Sequence, residues 1–417
     1  MPSDTHLIWV ISAVAIAGVI IRPGRLPEYA WAVAGALTLL LSGLIPWRDA
    51  LAAVVKGDDV YLFLLGMMLL AELARREGLF DWLATLAARY AKGSGQRLFD
   101  LVFLVGTVVT VFLSNDATAV VLTPAVYAAA RAAKADPLPY LFICAFIANA
   151  ASFVLPISNP ANLVIFGDHM PPLLEWLRVF SLPSLAAIGL TYLVLRLTQR
   201  THLRTPLTLV DKVPPLASSA RLTAAAIGLT AVLLLLVSAF DRALGLPTFI
   251  AGASAVIAVH LLKRSSPWPV FRGIAWGVLP LVAGLFVLVE AMMMTGVIQR
   301  LADLLLQWVN RSPDTATWGA GLLVALACNL LNNLPTGLIA GSLGQMAPLP
   351  PETISALVIG VDLGPNLSIT GSLATILWLI AVRREGLHVS AWGFLKLGVL
   401  VMPPALIGAL AMLMWAA

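Results

Sequence analysis

Charge is scarce in this chain. Asp, Glu, Lys and Arg together make up 11% of its 417 residues, against roughly a quarter in soluble domains, so most of its surface cannot face water. Cysteine is almost absent: Cys144 and Cys328 stand far apart inside apolar segments, which excludes a disulfide framework and assigns both to packing. Histidine numbers five, and none has a second His or Cys at metal-ligand spacing. His169, in the Gly167-Asp168-His169-Met170-Pro171-Pro172 turn, is expected to be a solvated loop residue. No Gly-rich phosphate loop or nucleophile triad occurs, so ATP hydrolysis and membrane-enzyme chemistry are excluded. Catalytic residues, cofactors, metal ligands and nucleic-acid partners are accordingly expected to be none.

What is present is hydrophobic. Apolar residues account for 60% of the chain, in runs that approach the ~20 residues needed to cross a bilayer. The runs begin at Leu7–Ile21 and end at Ala391–Ala417. They predict an all-α polytopic membrane protein with about 10–12 membrane elements. The first run follows a stretch without Lys or Arg and is expected to be a retained helix rather than a signal peptide.

The chain is also duplicated. Gly66, Glu72, Gly78, Leu113, Asn115 and Thr118 recur as Gly284, Glu290, Gly296, Leu331, Asn333 and Thr336. The net charge of +5 lies in loops. Arg196, Arg200, Arg204, Lys212 and Arg221 mark a cytoplasmic linker by the positive-inside rule. Arg75, Arg76, Arg89, Lys92 and Arg97, and then Lys263, Arg264 and Arg272, fall on the same side, whereas Asp241 and Arg242 fall opposite. The repeats are therefore expected to be inverted, as in many secondary transporters. The expected organisation is N-terminal scaffold helices (1–56), a first repeat (57–195), a basic linker (196–221), connecting scaffold helices (222–272) and a second repeat (273–417).

Four polar interruptions break the apolar sequence: residues 112–118, 155–162, 329–337 and 362–372. Backbone that leaves the helix at membrane depth must be satisfied by protein or a watery cavity, and clustered Asn, Ser and Thr supply partners. The first and third interruptions are expected at the tips of re-entrant hairpins, and the second and fourth at unwound midpoints of spans. A single Pro or Asn kink is ordinarily structural, and Pro156, Pro160, Pro335 and Pro365 are assigned to shaping the breaks, with Asn329 bonding to a neighbouring helix. Four interruptions in matching places nonetheless point to a solute site. Its candidate lining is Ser114, Asn115, Thr118, Ser158, Asn159, Asn162, Asn332, Asn333, Thr336, Asn366, Thr370 and Ser372. Intramembrane carboxylates are costly and mark ion or proton paths, so Asp116 and Asp362, inside the breaks, are the candidates for proton coupling. Glu72 and Glu290, toward helix ends, are assigned structural roles, and Asp100 and Asp303 interfacial ones. None of the motifs contains Lys or Arg, which favours a small neutral hydroxylated solute or a cation.

At these motifs the chain resembles the bacterial arsenite efflux permeases, the arsenical pump membrane proteins, of the ion transporter superfamily that also holds sodium/proton antiporters and dicarboxylate carriers. The stretches that carry the resemblance are 114–124, 332–336 and, most specifically, 362–378. Asn115, Asp116, Thr118, Asn333, Thr336, Asp362 and Ser372 match the family's motif positions. The resemblance implies a bacterial inner-membrane transporter exporting arsenite and antimonite against protons, and arsenous acid, mostly uncharged at neutral pH, suits the lining. It also allows a soluble arsenite-stimulated ATPase on the linker. Oligomeric state stays open between monomer and homodimer. The alternatives are a sodium- or proton-coupled carrier of another small solute, such as a dicarboxylate or cation, and a passive channel or facilitator. Two departures stand out: relatives often have Lys where this chain has Asn366, and Asp where it has Asn149. Loss of a cation and an anion together has the form of a compensated exchange.

Overall fold

The computed structural model describes residues 2–167, 170–210, 213–240 and 242–416, so Asp168, His169, Asp211, Lys212 and Asp241 lie outside the described residues. Every regular element among the described residues is a helix. Seven helices are each long and apolar enough to cross a membrane: Asp4–Ile21, Gly95–Phe112, Leu173–Thr198, Ser218–Ala239, Gly245–Lys263, Pro313–Leu331 and Ala391–Ala416. An eighth candidate, Val278–Met294 with Val297–Arg311, bends by 73°. Other apolar stretches of the sequence form shorter pieces: Leu138–Ala150 stops ahead of the 155–162 interruption, and Glu28–Leu41 stops at the Ser42-Gly43 turn.

The order of elements recurs. Asp58–Arg76, Leu79–Tyr90, Gly95–Phe112, Leu138–Ala150 and Leu173–Thr198 are answered by Val278–Met294, Val297–Arg311, Pro313–Leu331, Pro351–Leu363 and Ala391–Ala416. The matched glycines explain themselves. Gly78 and Gly296 sit at φ 73° and 74°, in the left-handed region open to a residue without Cβ, and each turns the chain into an amphipathic helix. Gly66 and Gly284 serve helix crossings instead: a Cβ on Gly66 would strike the Thr248 backbone, and one on Gly284 would lie 2.7 Å from the Ala32 carbonyl carbon. Helix Asp58–Arg76 thereby packs on Gly245–Lys263, and Val278–Met294 on Glu28–Leu41.

A backbone obstacle cannot yield as a flexible side chain can. Gly284→Ala should therefore destabilise the protein by ~1–3 kcal/mol of overpacking despite alanine's higher helix propensity. Gly228→Ala, where nothing lies within 4 Å, should be neutral or stabilising. Thermal unfolding of the two variants in detergent checks the contrast, and equal midpoints would remove the crossing role.

One end of the bundle collects basic segments. Glu72 accepts from Arg75 and Arg76 at 2.6 Å, and Lys263 donates to Glu77 at 2.9 Å. Arg196 pairs with Asp100. The linker straps across both feet of the first hairpin, formed by helices Gly95–Phe112 and Thr123–Ala132, with Leu207 N–H donating to Gly93 O and Thr208 N–H to Ala133 O, each at 2.9 Å. Glu290, by contrast, accepts from Lys56 at 2.8 Å, just before the start of helix Asp58–Arg76.

Candidate functional site

Each polar interruption supplies an N-cap. Ser114 Oγ accepts from Ala117 N–H at 3.1 Å, Asn159 Oδ1 from Ala161 N–H at 3.0 Å, Asn332 Oδ1 from Leu334 N–H at 3.4 Å and Ser372 Oγ from Thr375 N–H at 3.1 Å. Four helical segments consequently begin in the buried interior of the chain, at 115, 160, 333 and 373. Residues 112–118 do turn the chain back, because Thr110 and Thr118 share a 2.8 Å hydrogen bond, which a straight helix would hold some 12 Å apart. After the turn, Thr118–Leu122 winds as π-helix, an irregularity frequent at functional sites. Pro156–Ser158, Gly364–Leu367 and Ile369–Gly371 are short 3-10 turns between the halves of broken helices.

The four starts converge. One small cleft is lined by Asn115 and Asp116, Asn159 and Pro160, Asn333 and Leu334, and Leu373 and Ala374, with Leu64 and Val278 as apolar walls. Its polar character comes from helix N-termini, whose amides and dipoles favour electronegative atoms, and from three Asn side chains. Asp116 contributes its carboxylate, and no Lys or Arg lines the cleft. Asn333 Oδ1 is buried without a partner, an acceptor left for a donating group. The water-accessible space is about 10 Å³, enough for one water molecule and too small for a trihydroxide, so a solute can enter only as the lining parts.

The remaining candidate residues hold the interrupted segments together outside the cleft lining. Ser158 donates to Val111 O at 3.0 Å. Asn162 braces the second interruption by donating to Ser152 O at 2.9 Å, leaving its Oδ1 unpaired. Thr336 donates to Asn332 O at 2.7 Å, and Thr370 to Asn329 O at 3.1 Å. Asn332 donates to Thr370 O at 3.2 Å from a backbone at φ 75°, ψ 154°, a conformation only glycine adopts freely, so Asn332 is held there under strain of ~1–3 kcal/mol. Asn366 donates to Phe146 O at 3.0 Å. In this conformation Ser114, Thr118, Ser158, Asn162, Asn332, Thr336, Asn366, Thr370 and Ser372 do not line the cleft. Asn115, Asp116, Asn159 and Asn333 do.

Asp362 stands one layer behind. It is fully buried. Its Oδ1 accepts from Ser152 at 2.6 Å and from Asn159, while Oδ2 has no partner. Asn159 thus touches the cleft, caps helix Pro160–Phe166 and reaches Asp362. A second polar cluster adjoins it through Ser152, which also contacts Asn149 O at 2.7 Å: Ser372, cap of helix Leu373–Arg384, donates at 3.3 Å to Asn149. Asn149 in turn donates to Asn366 at 3.0 Å. The two departures noted in the sequence therefore touch. Ser152 escaped the sequence reading. Its signal was a lone serine within the Leu138–Leu155 apolar run.

The model of the citrate transporter family (CitMHS) matches residues 8–382. An arsenical pump membrane protein of Escherichia coli is 30% identical over 406 residues, covering 92% of each chain. One from Yersinia enterocolitica is 30% identical over 363 residues, covering 84% of each. Among solved structures, the YdaH transporter of Alcanivorax borkumensis matches with a TM-score of 0.57 at 17% identity, over 87% of this chain and 86% of that one, a likeness of fold. Apolar spans, interrupted helices and these relatives agree: the chain is a multi-pass transporter of the bacterial inner membrane and belongs to the arsenical pump family of the ion transporter superfamily.

Proposed function

We propose that this transporter exports arsenite and antimonite from the cytoplasm in exchange for protons. The observation that carries the reading is the cleft at four helix starts, lined by Asn115, Asn159, Asn333 and Asp116 without a basic residue. Oxygens of a neutral trihydroxide accept from the helix-start amides, and its hydroxyls donate to Asn333 Oδ1 and to Asp116. A dicarboxylate would meet the same amides, which keeps the second reading alive, but would also meet the Asp116 carboxylate with no cation to offset it.

Coupling is assigned to Asp116 in the cleft and Asp362 behind it. Ser152 has one proton and two acceptors at short range, Asp362 Oδ1 at 2.6 Å and Asn149 O at 2.7 Å. A proton on Asp362 satisfies both, since the acid then donates to Ser152 and Ser152 to Asn149 O. Losing that proton leaves a buried carboxylate whose Oδ2 has no donor, which favours movement of Asn159 and of the helix it caps.

The repeats are read as inverted. Supporting this, Glu290 near the end of Val278–Met294 meets Lys56 before the start of Asp58–Arg76, while Gly273 before the start of the former lies against Glu72 near the end of the latter. Scaffold helices 1–56 and 222–272 would hold the two repeats, 57–195 and 273–417, with linker 196–221 in the cytoplasm. A soluble ATPase docked there would bear on the first hairpin through the strap, although the coupling proposed here needs no such partner.

The test is arsenite uptake into proteoliposomes under an imposed proton gradient, with and without protonophore. Protonophore-sensitive accumulation above empty vesicles is expected, with competition by antimonite. Accumulation of a dicarboxylate and not of arsenite would overturn the substrate, and gradient-independent equilibration would select a facilitator.

A further inference from the structure

A second cavity lies away from the cleft. It measures about 200 Å³ and is lined by Gln96, Leu193, Arg196, Leu197, Arg200 and Leu203. These residues belong to the first turn of helix Gly95–Phe112, the last turns of Leu173–Thr198 and the start of the linker, so the cavity opens where two membrane spans meet the basic end of the bundle. Its floor is apolar, and Leu193 and Leu197 are 48% and 55% exposed on the outer face of the span. Its rim is cationic. Arg196 is fixed in place by Asp100, by donation to Gln96 O at 3.3 Å and by the Tyr192 ring at 5.8 Å. Among the described residues nothing pairs with the Arg200 guanidinium.

We infer that this cavity binds the headgroup of an anionic phospholipid from the leaflet on the linker side. The chemistry is complementary on both counts. Two guanidiniums, one of them held rigidly, offer forked donors to a phosphodiester. The N-terminal turn of an 18-residue helix adds positive potential. The exposed leucines beside the rim give the acyl chains an apolar path, which a soluble anion would not use. Basic pockets between spans are a recurrent form of lipid recognition. Because the linker leaves this cavity to strap the first hairpin, a lipid seated here would brace that strap.

The experiment is native mass spectrometry of delipidated full-length protein titrated with phosphatidylglycerol or phosphatidylcholine. Arg200→Gln is compared with wild type and with Arg204→Gln, which removes the same charge outside the cavity. Phosphatidylglycerol should be retained preferentially by wild type and by Arg204→Gln, and bound about 5-fold or more weakly by Arg200→Gln. Thermal unfolding without added lipid should be the same for all three, since Arg200 holds no partner; phosphatidylglycerol should raise the midpoint less in Arg200→Gln. Equal loss in both variants, or equal retention of the two lipids by wild type, would overturn the assignment.

Discussion

Replacing Asp362 by Asn should abolish proton-driven accumulation of solute, by 100-fold or more, while leaving the protein folded and able to exchange solute for solute. The asymmetry follows from the hydrogen bonds. An amide at this position can accept through its oxygen from both Ser152 and Asn159, as Oδ1 does in the native protein, so both donors stay satisfied. It cannot release the proton. Asp362→Leu should instead lose stability, because the Asn159 donor is left without its acceptor at ~1–3 kcal/mol, while Ser152 retains Asn149 O. The comparison to make is gradient-driven uptake against counterflow in the same proteoliposomes. Retention of gradient-driven uptake by Asp362→Asn would remove the residue from coupling and leave Asp116 as the carrier of the proton.

Asn149 and Asn366 invite a second large effect. Both are fully buried and in contact at 3.0 Å. Asn366→Lys alone, or Asn149→Asp alone, places an uncompensated charge there and should cost ~3–5 kcal/mol. The double variant should recover most of that loss, since each charge then meets its opposite and Ser372 can still donate to the carboxylate at position 149. A double-mutant cycle on thermal stability measures the coupling. Additive losses would mean that the two positions do not constitute an exchanged ion pair.

The breaks were legible in the sequence because Pro, Gly and Asn inside apolar runs leave few alternatives to ending a helix. Ser114, Asn159, Asn332 and Ser372 all fall within motifs nominated on that ground, and Asn115, Asp116, Asn159 and Asn333 meet in one cleft. What the spacing could not show is which polar atoms are already used. Asn366 turns back to Phe146 O, Ser158 reaches Val111 O, and Ser152 joins Asp362 across 210 residues of chain. Local pattern marks where backbone groups are freed; long-range packing decides which side chains satisfy them. The absence of a basic residue was legible too, but four converging helix starts bring amide donors to the cleft that no count of Lys and Arg would disclose.

The bond between Asn159 and Asp362 also sets a timetable for biosynthesis. The two residues are 203 positions apart, and ribosomes add roughly 5–20 residues per second, so Asn159 enters the membrane roughly 10–40 s before its acceptor exists. Helix Asp58–Arg76 waits similarly for Gly245–Lys263 to arrive against Gly66. During that interval the nascent first half carries an unwound segment that lacks its final partners. Translational pausing within the 196–221 linker would lengthen that interval.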